Sequence, residues 1–276
     1  MTLSVSDSHG GSPDPSAARF YVAVHDVAPN QRDALAPLLH ELTARLGGTF
    51  SMAITPRVHG TEPTIDDWAF LRELGSTSGA QPELLLHGLT HRRRPNPDPI
   101  SIVNRFSDEW SGLPRDRLHA ELGQARALIR RALGRDPTGV VAPCWRWGAF
   151  DRVMMREHEL AFAVGYRSAW FADPAISSIR LTTASRDWGF MTPAHPLLAA
   201  WPKRYHRLRS AFWRQSEAHP RPCIVFHPVD VRRGSHWAGL REIDRLIADG
   251  MHPSLFTPHA TASTKKELPA HVEVLA

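Results

Sequence analysis

Four histidines and two aspartates of this 276-residue chain stand at or just beyond the ends of short apolar runs. Phe20-Tyr21-Val22-Ala23-Val24 leads into His25-Asp26. Leu84-Leu85-Leu86 leads into His87-Gly88-Leu89-Thr90-His91. Cys223-Ile224-Val225-Phe226 leads into His227-Pro228-Val229-Asp230. Asp26, His87 and His91 together form an open ligand set, with three protein donors and coordination positions left for water and substrate. A divalent ion held this way lowers the pKa of a bound water to near neutrality and polarises a carbonyl, which is the chemistry of a hydrolase. In a chain with 16 histidines the four-residue spacing of His87 and His91 says little by itself. A second run ending in His25-Asp26 gives it weight. His227 has two readings, a proton donor to a leaving group or a core histidine satisfied by a backbone partner.

For such residues to meet, the runs must be strands that open on one rim. The spacing of the two histidines would suit a helix face, but the apolar run before His87 and the glycine after it favour a strand end and a tight loop. Strands are expected over Phe20–Val24, Phe50–Thr55, Leu84–Leu86, Gly139–Ala142, Phe162–Val164 and Cys223–Phe226. Between them lie helix patterns. One starts near Asp33, with Pro37 in its first turn, and stops at Gly47-Gly48. A second starts at Thr64, with the acidic Asp67 three residues on. A third opens at Pro114, carries Leu118, Leu122, Ala125, Ile129 and Leu133 on one stripe, and ends at Gly134. A fourth runs from Ser235 to Gly250. This alternation predicts parallel strands with ligands at their C-terminal ends. The Pro-rich, polar stretch Arg92 to Leu113 reads as a long loop, and loops of that length are often functional.

Composition sets wider limits. Hydrophobic content of 42% and charged content of 22% are ordinary for a globular protein. No apolar run approaches the roughly 20 residues that span a bilayer. Residues 1–18 are polar and rich in Gly, Ser and Pro, and read as a disordered leader without the pattern of a secretory signal. Residues 19–258 read as the folded domain and 259–276 as a polar tail. The two cysteines, Cys144 and Cys223, form no disulfide framework and suit a reducing cytoplasm. The net charge of +5 comes with no nucleic-acid motif, so no nucleic-acid partner is expected. The basic, aromatic stretch Pro196 to Arg214 fits either a barrel helix with a solvated face or weak contact with an anionic membrane surface. Oligomeric state is not legible.

Four segments occur in order: Val24-His25-Asp26-Val27-Ala28-Pro29, Leu86-His87-Gly88-Leu89-Thr90-His91, Val141-Ala142-Pro143-Cys144-Trp145 and Phe226-His227-Pro228-Val229-Asp230. Together they resemble the motifs of NodB-type polysaccharide deacetylases, and more closely a bacterial branch of that superfamily, from about Phe20 to Phe256. The resemblance implies a distorted (β/α) barrel carrying a metal-dependent N-deacetylase site. It implies that Asp26, His87 and His91 hold the metal and that His227 is the general acid. His25 stands where the family carries an aspartate base. Val141 stands near the place of an arginine that pairs with that aspartate. The two departures agree with each other, because a neutral imidazole base needs no cationic partner. They fit equally a site that no longer does this chemistry.

The resemblance also places Pro143, Trp145 and Arg146 against the substrate, with Arg146 able to stand in for the missing arginine. Trp145 and Trp147 are either sugar-stacking rings or core residues. Asp187-Trp188 is the candidate for the family's fourth motif, the other reading being a buried Trp beside a surface Asp. Asp187 and Asp230 are the supporting carboxylates. The function expected is hydrolysis of a carbon–nitrogen amide bond, above all N-deacetylation of an amino sugar or related small molecule. The ion is zinc by default, with cobalt, nickel or iron also suited to the donors. The alternative is a catalytically silent carbohydrate-binding or regulatory protein that keeps the barrel. With His25 as base, the acidic limb of activity is expected at about pH 5.5–7.

Overall fold

The structure, a computed structural model, describes residues 18–77, 81–92, 109–185 and 221–257. Eight strands close on themselves: β1 (Arg19–Val27), β2 (Ser51–Ile54), β3 (Glu83–Leu86), β4 (Gly139–Val140), β5 (Phe162–Val164), β6 (Ser168–Phe171), β7 (Ile179–Ser185) and β8 (Arg221–Phe226). They follow one another around the barrel, and pairing of β1 with both β8 and β2 completes the circle. A short β9 (His252–Pro253) pairs with Arg19 and Phe20 at the start of β1. Among the described residues the helices are α1 (Arg32–Leu46), α2 (Ala69–Thr77), α3 (Arg115–Leu133), α4 (Arg152–Glu157), α5 (Pro228–Arg232) and α6 (His236–Ala248).

The barrel is mixed where a parallel one was expected. β6 runs antiparallel to both β5 and β7. Three residues, Gly165 to Arg167, join β5 to β6, and a parallel crossover needs a dozen or more, so only a hairpin is open to that segment. β6, β7, β9 and α4 carry no signal strong enough to be expected from sequence. Helix α1 also starts earlier than expected, because a 3₁₀ turn at Pro29–Gln31 leads into it, and Pro37 falls inside the helix. An interior proline costs about 3 kcal/mol. Leu35, Leu38, Leu39, Leu42 and Leu46 are all buried on one face, at about 1.5–3 kcal/mol each, so packing outweighs the proline. Thr64 and Asp67 cap the next helical segment reciprocally, Thr64 N–H donating to Asp67 Oδ2 (2.7 Å) and Asp67 N–H to Thr64 Oγ1 (3.4 Å).

The two-residue period of the strands sorts the core into two layers. Phe20, Val22 and Val24 of β1, Leu84 and Leu86 of β3, and Ile224 and Phe226 of β8 face the helices. Tyr21 and Ala23, Ala53, Leu85, Cys223 and Val225 fill the barrel interior. Continuing each inward series by two residues gives His25, Thr55, His87 and His227. One end of the barrel is therefore ringed by these polar side chains. Phe256 seals the other end, stacked on Tyr21 at 4.3 Å. Burial pushes the Cys223 thiol in this interior up to about 12, so it is an inert core residue. Cys144 is only partly buried. Among the described residues, no helix is long and apolar enough to cross a membrane.

Candidate active site at the barrel mouth

His25, His87 and His227 arrive at the mouth from β1, β3 and β8, and pairing of Val24 with Phe226 sets His25 and His227 level. All three are buried. The His25 ring lies 4.9 Å from that of His87 and 5.3 Å from that of His227. In a regular strand Asp26 would point away from His25. Instead Asp26 has a left-handed φ of 53°, and the β1–β2 register shifts between Val24 and Val27. This bulge turns the carboxylate back to the mouth, a use of bulges common beside functional sites.

Asp26 Oδ1 is 3.1 Å from Nε2 of His87 and 3.1 Å from Nε2 of His91. Donor atoms around a tetrahedral ion with bonds of about 2.0–2.1 Å stand roughly 3.3 Å apart, close to this spacing. His87 Nδ1 lies 2.9 Å from the Val141 carbonyl. Nδ1–H donates there, and in that neutral tautomer the Nε2 lone pair faces the Asp26 oxygen. Two acceptors then face each other at hydrogen-bond distance, an arrangement a cation resolves. A backbone carbonyl behind a histidine is also the usual device for orienting a metal ligand. The donor set therefore fits a divalent ion, and among the described residues this is the one group of three that does.

Electrostatics point the same way. Burial alone would raise the Asp26 carboxyl, but His91, His87 and His227 outweigh it and hold the group well below its ordinary range. Burial, reinforced by His87 and His227, pushes His91 down to about 4 against the pull of Asp26. Burial, then His87 and His227, likewise hold His25 well below 6.5. All three groups are thus in the deprotonated form a metal ligand or a base requires. His25 Nε2 is buried and has no hydrogen-bond partner.

His227 is followed by α5. Its backbone N–H donates to Asp230 Oδ2 (2.8 Å), and its Nδ1 lies 3.8 Å from the same oxygen. Ser235 Oγ donates to Asp230 Oδ1 (2.8 Å). Burial would raise Asp230, yet the bonds from His227 and Ser235 keep it below its ordinary value, so it sits as a carboxylate behind His227.

The third motif forms a 3₁₀ turn, Pro143–Trp145, in which Cys144 and Trp145 both have positive φ. Trp145 packs 4.9 Å from the His25 ring and 5.8 Å from Tyr166, whose side chain is exposed. Pro143 is buried against Gly88, and Arg146 is half-buried just beyond Trp145. Trp147 belongs to the core instead, in a cluster with Trp110, Phe150 and Trp170. Asp187, Trp188 and the stretch Pro196 to Arg214 lie outside the described residues.

Two residues here were not singled out individually, Thr55 at the end of an expected strand and Glu109 in the stretch Arg92 to Leu113 read as a long loop. Thr55 Oγ1 donates to the His87 carbonyl (2.8 Å); its place two residues beyond Ala53 on the inward face is the signal that would have found it. Glu109 is buried beneath the loop of His91. Its Oε1 accepts from Leu89 N–H (3.1 Å), Thr90 N–H (3.0 Å) and Thr90 Oγ1 (3.1 Å), and its Oε2 from His91 N–H (2.7 Å). Burial raises its pKa, and the N–H donors oppose that rise.

No family model and no curated protein matches the chain. Solved structures do. A candidate polysaccharide deacetylase from Mycobacterium smegmatis has a TM-score of 0.56 at 14% identity, with 96% of this chain and 97% of that one covered. A wild-type CE4 family pseudoenzyme from Bacillus anthracis has a TM-score of 0.52 at 11% identity, covering 90% of this chain and 66% of that one. The CE4 domain of a multidomain xylanase from the hindgut metagenome of Trinervitermes trinervoides has a TM-score of 0.51 at 11% identity, covering 90% and 92%. The chain has the distorted barrel of the NodB-type, CE4 deacetylases.

Proposed function

We propose that the protein is a metal-dependent hydrolase of a carbon–nitrogen amide bond, acting on an N-acetylated amino sugar or a related small molecule. One observation carries this reading: Asp26, His87 and His91 converge with their lone pairs facing inward, and His25 and His227 flank them at the same mouth. When bound, a divalent ion, zinc by default and cobalt, nickel or iron as alternatives, supplies Lewis acidity and a lowered water pKa. His25 takes a proton from the attacking water at its unpartnered Nε2. His227 delivers a proton to the departing amine, with the Asp230 carboxylate behind it to stabilise the imidazolium while it is charged. Trp145, Pro143 and Arg146 form the wall against which the substrate lies. The low pKa of His25 keeps it neutral at pH 7, and a bound cation acts in the same direction. The acidic limb of activity is therefore assigned below pH 6.5, not across the interval expected from an unperturbed histidine.

The test is metal analysis of the purified protein, followed by amine release from a panel of N-acetyl sugars and small N-acetyl amides. Release that needs the metal and Asp26 is the expected outcome. A second reading, a silent sugar-binding protein, draws on the same His25: a base so depressed is weak, and a pseudoenzyme with this fold is known from the Bacillus anthracis structure. Metal-loaded protein that binds N-acetyl sugars by calorimetry but releases no amine would decide for it.

A further inference from the structure

We infer that Glu109 is a positioning residue of the metal centre, whose buried carboxylate fixes the path of residues 88–91 so that His91 meets Asp26 and His87. This inference rests on the metal site proposed above. His91 has a φ of 49°, a left-handed conformation that is unfavourable for a residue with a side chain. Something must hold it there. Three successive N–H groups, those of Leu89, Thr90 and His91, turn towards one carboxylate 18 positions further along the chain. Successive N–H groups that converge in this way make an anion-binding concavity, and here the protein fills it with its own side chain. The other side of the loop is held independently, Arg57 N–H donating to the Leu89 carbonyl (2.9 Å) and His59 N–H to that of Thr90 (2.7 Å).

Gly88 completes the fit. Its φ is +73°, and a Cβ there would overlap Glu109 Oε2 and stand 2.8 Å from Pro143 Cγ. The glycine therefore makes room for the very oxygen that accepts from His91. Glu109 is 1% exposed and does not join the ligand cluster itself. It acts on the ion through the backbone of a ligand.

The experiment uses the full-length protein with Co(II) as the probe, titrated at a temperature where every apo variant keeps the wild-type far-UV circular dichroism. In Glu109→Gln one of the two acceptors becomes an amide donor among N–H groups. The expected result is Co(II) binding weakened about 10–100-fold, with altered d–d bands, the usual size of an effect transmitted through a ligand's support. Thr90→Val removes one bond to the same carboxylate, and a smaller weakening of the same kind is expected. Should Glu109→Gln fail to fold, Thr90→Val decides. Glu83→Gln, at the other end of the barrel, should lower the melting temperature yet keep wild-type affinity and spectrum. Wild-type Co(II) affinity in a folded Glu109→Gln, or equal weakening in Glu83→Gln, overturns the inference while the metal site stands. A wild-type protein that takes up no Co(II), or a His91→Ala variant that binds it equally well, overturns the metal site and this inference with it.

Discussion

Each end of the barrel contains a buried glutamate that gathers chain from elsewhere. At the sealed end Glu83 accepts from Ser51 Oγ (2.7 Å), from the backbone N–H of Thr257 (2.8 Å) and Phe256 (3.4 Å), and from Thr257 Oγ1. At the open end Glu109 accepts from the loop that carries His91. The bonding is alike, but the chain it holds is not. Tyr21 and Phe256 pack flat against each other beside Glu83, and neither has an unusual backbone. Around the mouth, Asp26, His91, Cys144 and Trp145 all have positive φ, and the His25 Nε2 is buried without a partner. Strain and unpaired polar atoms are tolerated where surrounding structure over-determines them, and they gather at functional sites. The two ends thus differ in how their buried polar groups are partnered: both Glu83 oxygens accept hydrogen bonds, whereas the His25 Nε2 has none.

That contrast can be broken by mutation. The largest effect is expected at the ligands. His87→Ala or His91→Ala should lose the metal on dialysis and abolish hydrolysis while the circular dichroism stays that of the wild type. Retained metal in both variants would remove the mouth from the chemistry. Next come the flanking histidines. His25→Ala should keep the metal and lose about 10²–10⁴ in kcat/KM, the usual worth of a positioned acid or base. His227→Ala should lose a similar factor, and less on substrates whose amine leaves easily. Turnover unchanged in metal-loaded His25→Ala would exclude His25 as the base.

At the sealed end the readout changes from rate to stability. Glu83→Gln should cost about 1–3 kcal/mol in urea unfolding, since one amide end faces donors it cannot accept from, with kcat/KM unaltered in the folded fraction. A further effect is in the pH dependence of the apo protein. His25 and His91 have folded pKa values below 6.5, that of His91 about 4. The unfolded chain therefore binds protons first as the pH falls. Stability should be lost from about pH 6.5 downward, at up to about 1.4 kcal/mol per pH unit for each proton. Glu109, raised by burial, works in the opposite sense at lower pH. Unfolding curves that are flat between pH 6.5 and 4.5 would contradict the burial of both histidines. Metal loading should steepen the slope, because protons compete for the ligands.

Much of the mouth was legible in the sequence because strand periodicity is local. The inward series 21, 23, 25 and 223, 225, 227 can be read from the apolar runs themselves, and they bring His25 and His227 to one level. The turn of Asp26 back to that level could not be read. It depends on a bulge, and aspartate merely tolerates the left-handed region without demanding it. Glu109 was invisible for a different reason. A lone glutamate after a Pro-rich segment has no periodic partner, and three of its four bonds are made to backbone N–H groups that carry no sequence signature. The antiparallel β6 escaped likewise, because Gly165-Tyr166-Arg167 is not one of the strong hairpin dipeptides.

Pairing of β1 with β8 also bears on how the protein is made. The strand that begins the barrel waits for a neighbour about 200 residues downstream, Tyr21 for Cys223 and Val24 for Phe226. During translation the seven earlier strands can form only an open sheet with β1 bare along one edge, and a bare apolar edge invites pairing with other chains. Contacts so distant in sequence also slow folding. A nascent chain halted before Arg221 is thus a poor substrate for release and a good one for chaperones, and the His25–His227 face of the mouth comes into being only with the last strand of the barrel.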